Sequence, residues 1–324
     1  MDPRSSSMIR ETESDFELAD ESPDDPSPLI VPFEIGFKKQ PPSLDLPPAQ
    51  ARVIAVASGK GGTGKTTFTT NLAIALRKEG LRVLIVDADF GLANDHLLLG
   101  IEPKGDVADV IAGRKDIRDV LLEGPEGIHL IPGGVGLTDL STLQDYEVQS
   151  LARDVGSLEP DYDIILLDLA AGVSPQIMRF LNPAHEIILV TNPEVTALLD
   201  AYGLIKCLSS WNVERKMEVQ VIQNRVKSRE DAIASMKKLR RGVSKHLSGI
   251  HMNFLGYIPF DHYLLHSISI QEPVILSHPR SFVTACFKGI AQKVHARYRS
   301  WDKNQQQKNP AISYFALLER QSYE

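Results

Sequence analysis

The hydrophobic pattern changes character at Arg52. From there the chain carries a series of short, continuously apolar runs: Arg52–Ala57, Arg82–Val86, Ile128–Ile131, Asp163–Leu167, Glu186–Val190, Val219–Ile222 and Phe254–Ile258. None alternates strictly between polar and apolar, so each reads as a strand covered on both faces. Between them lie stretches of helix-period apolar residues, among them Lys65–Lys78 (closing at Gly80), Thr196–Leu208 and Ser281–Arg297. Strands alternating with helices predict an α/β fold over residues 51–300, a mainly parallel twisted sheet with helices on both faces. Ligands of such sheets bind beyond the carboxyl ends of the strands.

The flanks read differently. Residues 1–50 hold the acidic, Ser- and Pro-dotted stretch Glu11–Asp25, then Pro41-Pro42 and Pro47-Pro48. Such a composition cannot bury enough apolar area to offset its ordering entropy, which predicts a disordered tail. The apolar island Leu29–Phe37 interrupts it. Residues 301–324 read as a polar linker, Lys303–Asn309, followed by a short amphipathic segment, Pro310–Tyr323. There Ile312, Phe315 and Leu318 form an apolar stripe, and Pro310 suits a helix start. The segment predicts either peripheral membrane contact or a helix packed on the domain. Its few basic residues weaken attraction to anionic lipid.

Bulk properties narrow the function. The 324 residues carry a formal net charge of -7, which argues against nucleic acid as a general partner. The most basic stretch, Lys237–Arg241 with Lys245, reads as a solvated helix face and leaves a local patch open. Cys207 and Cys286 form no CxxC pair, so zinc, redox and disulfide motifs lack support. No apolar run approaches the roughly 20 residues of a membrane span, and the start MDPRSSS lacks the core of a signal peptide. The expected location is therefore cytoplasmic.

The strongest chemistry follows the first strand. Gly59-Lys60-Gly61-Gly62-Thr63-Gly64-Lys65-Thr66-Thr67 contains the GxxxxGK[ST] pattern and opens the first helix. Its glycines let successive N–H groups turn toward an anion, and the helix N-terminus adds partial positive charge. Lys65 is expected on the β- and γ-phosphates, and the Thr66 hydroxyl on Mg²⁺. Asp87 and Asp89 leave the end of the second strand, where two carboxylates can divide metal and water-orienting roles. Asp168 ends the run Ile164–Leu167, a hydrophobic strand followed by the acid of a Walker B motif.

The spelling KGGxGKTT, with its second lysine Lys60, resembles the signature-lysine (deviant Walker A) ATPases, which include the MinD and ParA families. The resemblance implies that Lys60 reaches the partner's nucleotide in an ATP-bound homodimer. It implies that Asp89 positions water while Asp87 and Asp168 support magnesium, and that Ala171-Gly172 belongs to switch II. Leu169 and Ala170 stand where small or Pro/Gly residues are commoner in relatives. Asn224 and Pro259 would then contact adenine, and the lack of an NKxD signature favours ATP. The phrases IVDADFGLANDHLLLGI, IPGGVGLTDL, TNPEVTALLDAYGLIK, QNRVKS and LGYIPFD are most similar to the flagellar-number regulator branch (FlhG/FleN, YlxH). That branch implies a slow regulatory ATPase acting on flagellar number, placement or assembly at the cell pole or inner membrane face. Its partners would be a flagellar GTPase, a switch-complex protein or a flagellar transcription activator. The N-terminus lacks the branch's DQAxxLR activation motif. The alternatives are a MinD-type division-site or ParA-type partition ATPase. An iron–sulfur subunit fails for want of suitably placed thiolates, and no acceptor pocket of a metabolic kinase is legible.

Overall fold

A computed structural model of the chain describes residues 47–89, 94–134, 144–211, 217–247, 249–305 and 311–320. The Glu11–Asp25 stretch, the Leu29–Phe37 island, Phe90–Ala93 and most of the IPGGVGLTDL phrase lie outside these.

The sequence Arg52–Ala57 forms β1, and the runs after it form β2 (Val83–Ala88), β4 (His129–Ile131), β5 (Ile164–Leu169), β6 (Glu186–Thr191), β7 (Met217–Val226) and β8 (Ile250–Pro259). With a two-residue strand β3 (Leu122–Glu123), they make an eight-stranded sheet in the order β3-β4-β2-β5-β1-β6-β7-β8. Every pairing is parallel except β3 with β4. β3 was not anticipated, because two residues cannot display a periodicity. The chain steps from β1 to one side for β2 and to the other for β6, so β1 sits at the point where strand order reverses.

Alternate residues of the central strands feed two cores. Val53, Ala55 and Ala57 face the helices α4 (Asp145–Gly156), α5 (Pro175–Leu181), α6 (Val195–Trp211) and α7 (Arg229–His246). Ile54 and Val56 face α1 (Lys65–Lys78), α9 (Val274–Ser277) and α10 (Phe282–Gln305). Helix α1 buries Phe68, Leu72, Ala75 and Leu76, spaced to share one face. It stops at Glu79, where Gly80 takes the left-handed conformation (φ 93°), and Arg77 and Lys78 complement its negative end. Smaller helices complete the domain: α2 (Asp95–Leu98), α3 (Val107–Ile111) and α8 (His262–Ser269). The exposed side of α7 carries Lys237, Lys238, Arg241 and Lys245, as a solvated face requires.

The end of the chain packs on the domain. Pro48 bridges Ile312 antiparallel, and the Ala49 N–H donates to the Ala311 carbonyl at 2.8 Å. Helix α11 (Tyr314–Arg320) then buries Tyr314, Phe315 and Leu318 against α4. The Tyr314 hydroxyl donates to the Phe180 carbonyl (2.9 Å), Ser313 to Glu159 (2.8 Å), and Arg153 pairs with Glu319 (2.8 Å). Phe315 and Leu318, two members of the apolar stripe, are therefore consumed inside the fold, whereas Ile312 stays partly exposed. No helix among the described residues is long and apolar enough to cross a membrane.

Candidate functional site

The loop Gly59–Gly64 leaves β1 at the carboxyl edge of the sheet, and two of its glycines are dictated by close neighbours. A Cβ on Gly59 would collide with the backbone of Asp200, and one on Gly64 with the Asn224 side-chain amide. Gly64 also has φ 89° and caps α1 without any side-chain hydrogen bond. The first N–H groups of a 14-residue helix therefore point into the loop with no cap to receive them. Gly61 and Gly62 are open to solvent, whereas Thr63 is buried and its hydroxyl has no hydrogen-bond partner among the described residues.

Register brings the acids together. Asp87 and Asp168 are paired positions on the neighbouring strands β2 and β5, so two buried carboxylates stand side by side. Lys65 lies across them, its Nζ 2.8 Å from Asp168 Oδ1. The Thr69 hydroxyl donates to the same oxygen at 2.9 Å, while Asp168 Oδ2 has no hydrogen-bond partner among the described residues. Burial works to lower the Lys65 pKa, but the charge and hydrogen bond of Asp168, aided by Asp95 and Asp89, outweigh it and raise it. Burial, then the charge of Asp168, lifts Asp87 from the ordinary 3.8 to about 7. Asp89 follows β2, half-buried, and its N–H donates to Asp87 Oδ1 at 3.1 Å. Thr66 and Thr67 are half-buried on the first turn of α1.

A third carboxylate joins them that no motif assigned. Asp95, at the start of α2, is fully buried, and its N–H donates to Asp87 Oδ2 at 3.4 Å. Burial, followed by Asp168 and Asp87, pushes its carboxyl well above the usual range. In the sequence it sits between Asn94 and His96 with no motif to mark it, and the fold turns it inward.

The residues expected at the base also gather here. The Asn224 side-chain amide donates to the Thr63 carbonyl at 2.6 Å, which ties the end of β7 to the phosphate loop. Pro259 ends β8, in register with Val226 of β7. The Gly172 N–H donates to the Ser58 carbonyl at 2.9 Å, holding the loop after β5 against the entry to the phosphate loop. Lys60 points away from the acids. Its ammonium donates to the Thr196 hydroxyl (3.0 Å) and lies 3.4 Å from Glu194, at the N-terminus of α6. Around this rim, Val195 is 71% exposed and Phe260 64%, with Val173 also open.

These features fit a magnesium-bound nucleoside triphosphate. Undirected N–H groups, a buried lysine and an unpaired threonine hydroxyl match phosphate oxygens. Among the described residues no three His, Cys, Asp or Glu side chains converge tightly enough to hold a metal by themselves. The paired carboxylates of Asp87 and Asp168 suit magnesium, which takes one or two carboxylates and fills its shell with phosphate oxygens and water.

Comparison with known proteins agrees. The AAA domain family matches residues 51–221. The antiactivator FleN of Pseudomonas aeruginosa is 37% identical over 244 residues, covering 75% of this chain and 86% of FleN. The chain belongs to the MinD/ParA-type ATPase family. The flagellum site-determining protein YlxH of Helicobacter pylori is 30% identical to this MinD/ParA-type chain over 220 residues, covering 68% of it and 74% of YlxH. The septum site-determining protein MinD of Pyrococcus horikoshii, solved as a complex with Mg-ADP, matches with a TM-score of 0.62 at 29% identity. That match covers 75% of this chain and 96% of the other. The likeness to FleN and YlxH accords with the flagellar branch that the motif phrases imply.

Proposed function

We propose that this chain is an ATP-driven switch: ATP closes a homodimer, slow hydrolysis reopens it, and the closed state regulates flagellar number, placement or assembly. The observation that carries the reading is the placement of Lys60, which stands at the mouth of the phosphate loop on an exposed tether, facing outward. An exposed ion pair is worth about 0–1 kcal/mol. A triphosphate in a second copy offers charge-assisted hydrogen bonds of about 1.5–3 kcal/mol each, which is enough to draw the lysine across. The apolar rim of Val173, Val195 and Phe260 supplies surface that such pairing buries.

Within one protomer, Lys65, the N–H groups of Gly61–Lys65 and the Thr67 backbone hold the phosphates. Thr66, Asp87 and Asp168 support magnesium, which neutralises charge on the transferring phosphoryl group when bound. Asp89 orients the attacking water. Asn224 and Pro259 flank the base. ATP must bind the dimer more tightly than the monomer for the switch to work.

Gel filtration of the chain with a non-hydrolysable ATP analogue and Mg²⁺ tests the reading. A shift to the dimer, and a lasting ATP dimer in Asp89→Ala, are expected; a monomer under both conditions refutes it. The similarity to MinD supports a division-site role as the second reading. Capture of flagellar proteins by the Asp89→Ala dimer favours the flagellar role, whereas capture of division proteins favours the other. For α11, the proposal is a helix that stays docked in the monomer, with peripheral membrane contact requiring its undocking.

A further inference from the structure

Asp95 is 0% exposed, and neither of its carboxylate oxygens has a hydrogen-bond partner among the described residues. A dry, unpartnered carboxylate is costly and needs a compensating group. The nearby cation cannot fill that need, because Lys65 is already committed to Asp168 at 2.8 Å. Nor can the hydroxyl of Thr69, which donates to Asp168 and not to Asp95. Counting side chains, Asp87, Asp95 and Asp168 set three acids against Lys65, leaving an excess of two negative charges when all are ionised. That excess matches a divalent cation. Direct ligation by all three is not available, since they do not converge on one point. Magnesium, however, keeps several of its waters, and their protons are what the Asp95 oxygens lack.

We propose that Asp95 is a positioning residue for magnesium at the nucleotide site: its carboxylate accepts hydrogen bonds from metal-bound water and makes nucleotide binding depend on the dication. The inference rests on the nucleotide reading above and adds a residue to it. Asp95 touches neither the nucleotide nor the reacting atoms. It acts through the water shell and through its N–H bond to Asp87.

The test measures ADP affinity of the full chain by calorimetry, with and without Mg²⁺, alongside the unfolding temperature of the metal-free protein. In the wild type, Mg²⁺ should tighten ADP binding. In Asp95→Asn that enhancement should fall roughly tenfold to a hundredfold, while ADP affinity without metal stays the same or improves. The metal-free variant should melt no lower than the wild type, because no hydrogen bond to the carboxylate is lost among the described residues. Asp95→Leu, which removes the polar oxygens altogether, should behave alike and guards against a defect peculiar to Asn. An undiminished Mg²⁺ enhancement in either variant overturns the proposal, as does a lower metal-free melting temperature in both, which would mark Asp95 as merely structural. A wild type that binds no ADP with or without Mg²⁺ overturns the nucleotide reading together with it, and that result is distinguishable because no variant is needed to see it.

Discussion

The two edges of the sheet are built on opposite electrostatic plans. At the amino edge, Arg52 of β1 meets Glu186 of β6 at 2.8 Å, and Arg297 of α10 bridges Glu186 (2.7 Å) and Glu218 of β7 (2.9 Å). Two positive groups balance two negative ones. His185 is fixed there as well, accepting the Val53 N–H at 2.9 Å with its other ring nitrogen 2.9 Å from the Ile312 carbonyl. At the carboxyl edge, Lys65 faces Asp87, Asp95 and Asp168, and among the described residues both Asp95 carboxylate oxygens, Asp168 Oδ2 and the Thr63 hydroxyl find no hydrogen-bond partner. The amino edge balances its charges within the chain, although Arg52 Nε and Nη1 have no hydrogen-bond partner among the described residues, whereas the acids of the carboxyl edge outnumber its lysine. If stability and function are segregated along the strands, substitutions at the two edges should separate them.

The largest effect belongs to the amino edge. Glu186→Ala strands Arg52, 6% exposed and with a pKa already lowered by burial, without its counter-ion. Breaking one half of a buried pair costs about 3–5 kcal/mol. Urea unfolding should show that loss while ADP affinity at low temperature stays at the wild-type value. A parallel loss of ADP affinity would show that the two edges are coupled.

The next effect belongs to the carboxyl edge and is read as a pH dependence. Asp87 titrates at about 7 in the folded chain against an ordinary 3.8, so between these values the folded state holds the extra proton. The stability this contributes is complete below the unfolded value and is lost as pH rises toward 7. Metal-free protein should therefore lose on the order of a few kcal/mol between about pH 4 and 7. Asp87→Asn should flatten the slope. A slope of equal size in that variant would assign it to other groups.

How much of this was legible beforehand depended on whether the signal was local. The phosphate loop is a contiguous string with a fixed purpose, and Asp87, Asp89 and Asp168 each end an apolar run, so strand pattern and chemistry coincide in sequence. Strand positions were read to within a few residues, since β7 and β8 extend into polar residues that pair by backbone alone. Asp95, Glu194 and Thr196 acquire meaning only through space, from segments many residues from the loop they serve. The docking of α11 was one of two readings that the sequence left open. Its stripe fits a membrane or a protein groove alike, and the groove is made by α4, α5 and the strands beneath them.

A smaller effect concerns the rim. If Lys60 reaches a partner's phosphate as proposed, Lys60→Ala should lose about 1.5–3 kcal/mol per contact, or at least roughly tenfold to a hundredfold in the dimer constant. Gel filtration with an ATP analogue should leave a monomer peak at concentrations where the wild type is dimeric. Nucleotide affinity of the monomer should hold, because Lys60 points away from its own acids. A monomer that loses ATP would place Lys60 in the same class as Lys65.

The smallest effect is the most discriminating. Glu194→Gln weakens the tether on Lys60, an ion pair 3.4 Å long whose side chains are 39% and 61% exposed. Such a pair is worth about 0–1 kcal/mol and is screened by salt. If the tether competes with the partner's nucleotide for Lys60, its removal should tighten the ATP-analogue dimer by up to about fivefold at low salt. The gain should vanish near 1 M salt, where the Debye length falls to about 3 Å. Sedimentation equilibrium resolves a change of that size. A dimer weakened by the substitution would carry the opposite lesson: Glu194 would then belong to the contact between protomers, and the carboxyl edge would owe part of its pairing to acids as well as to the lysine they restrain.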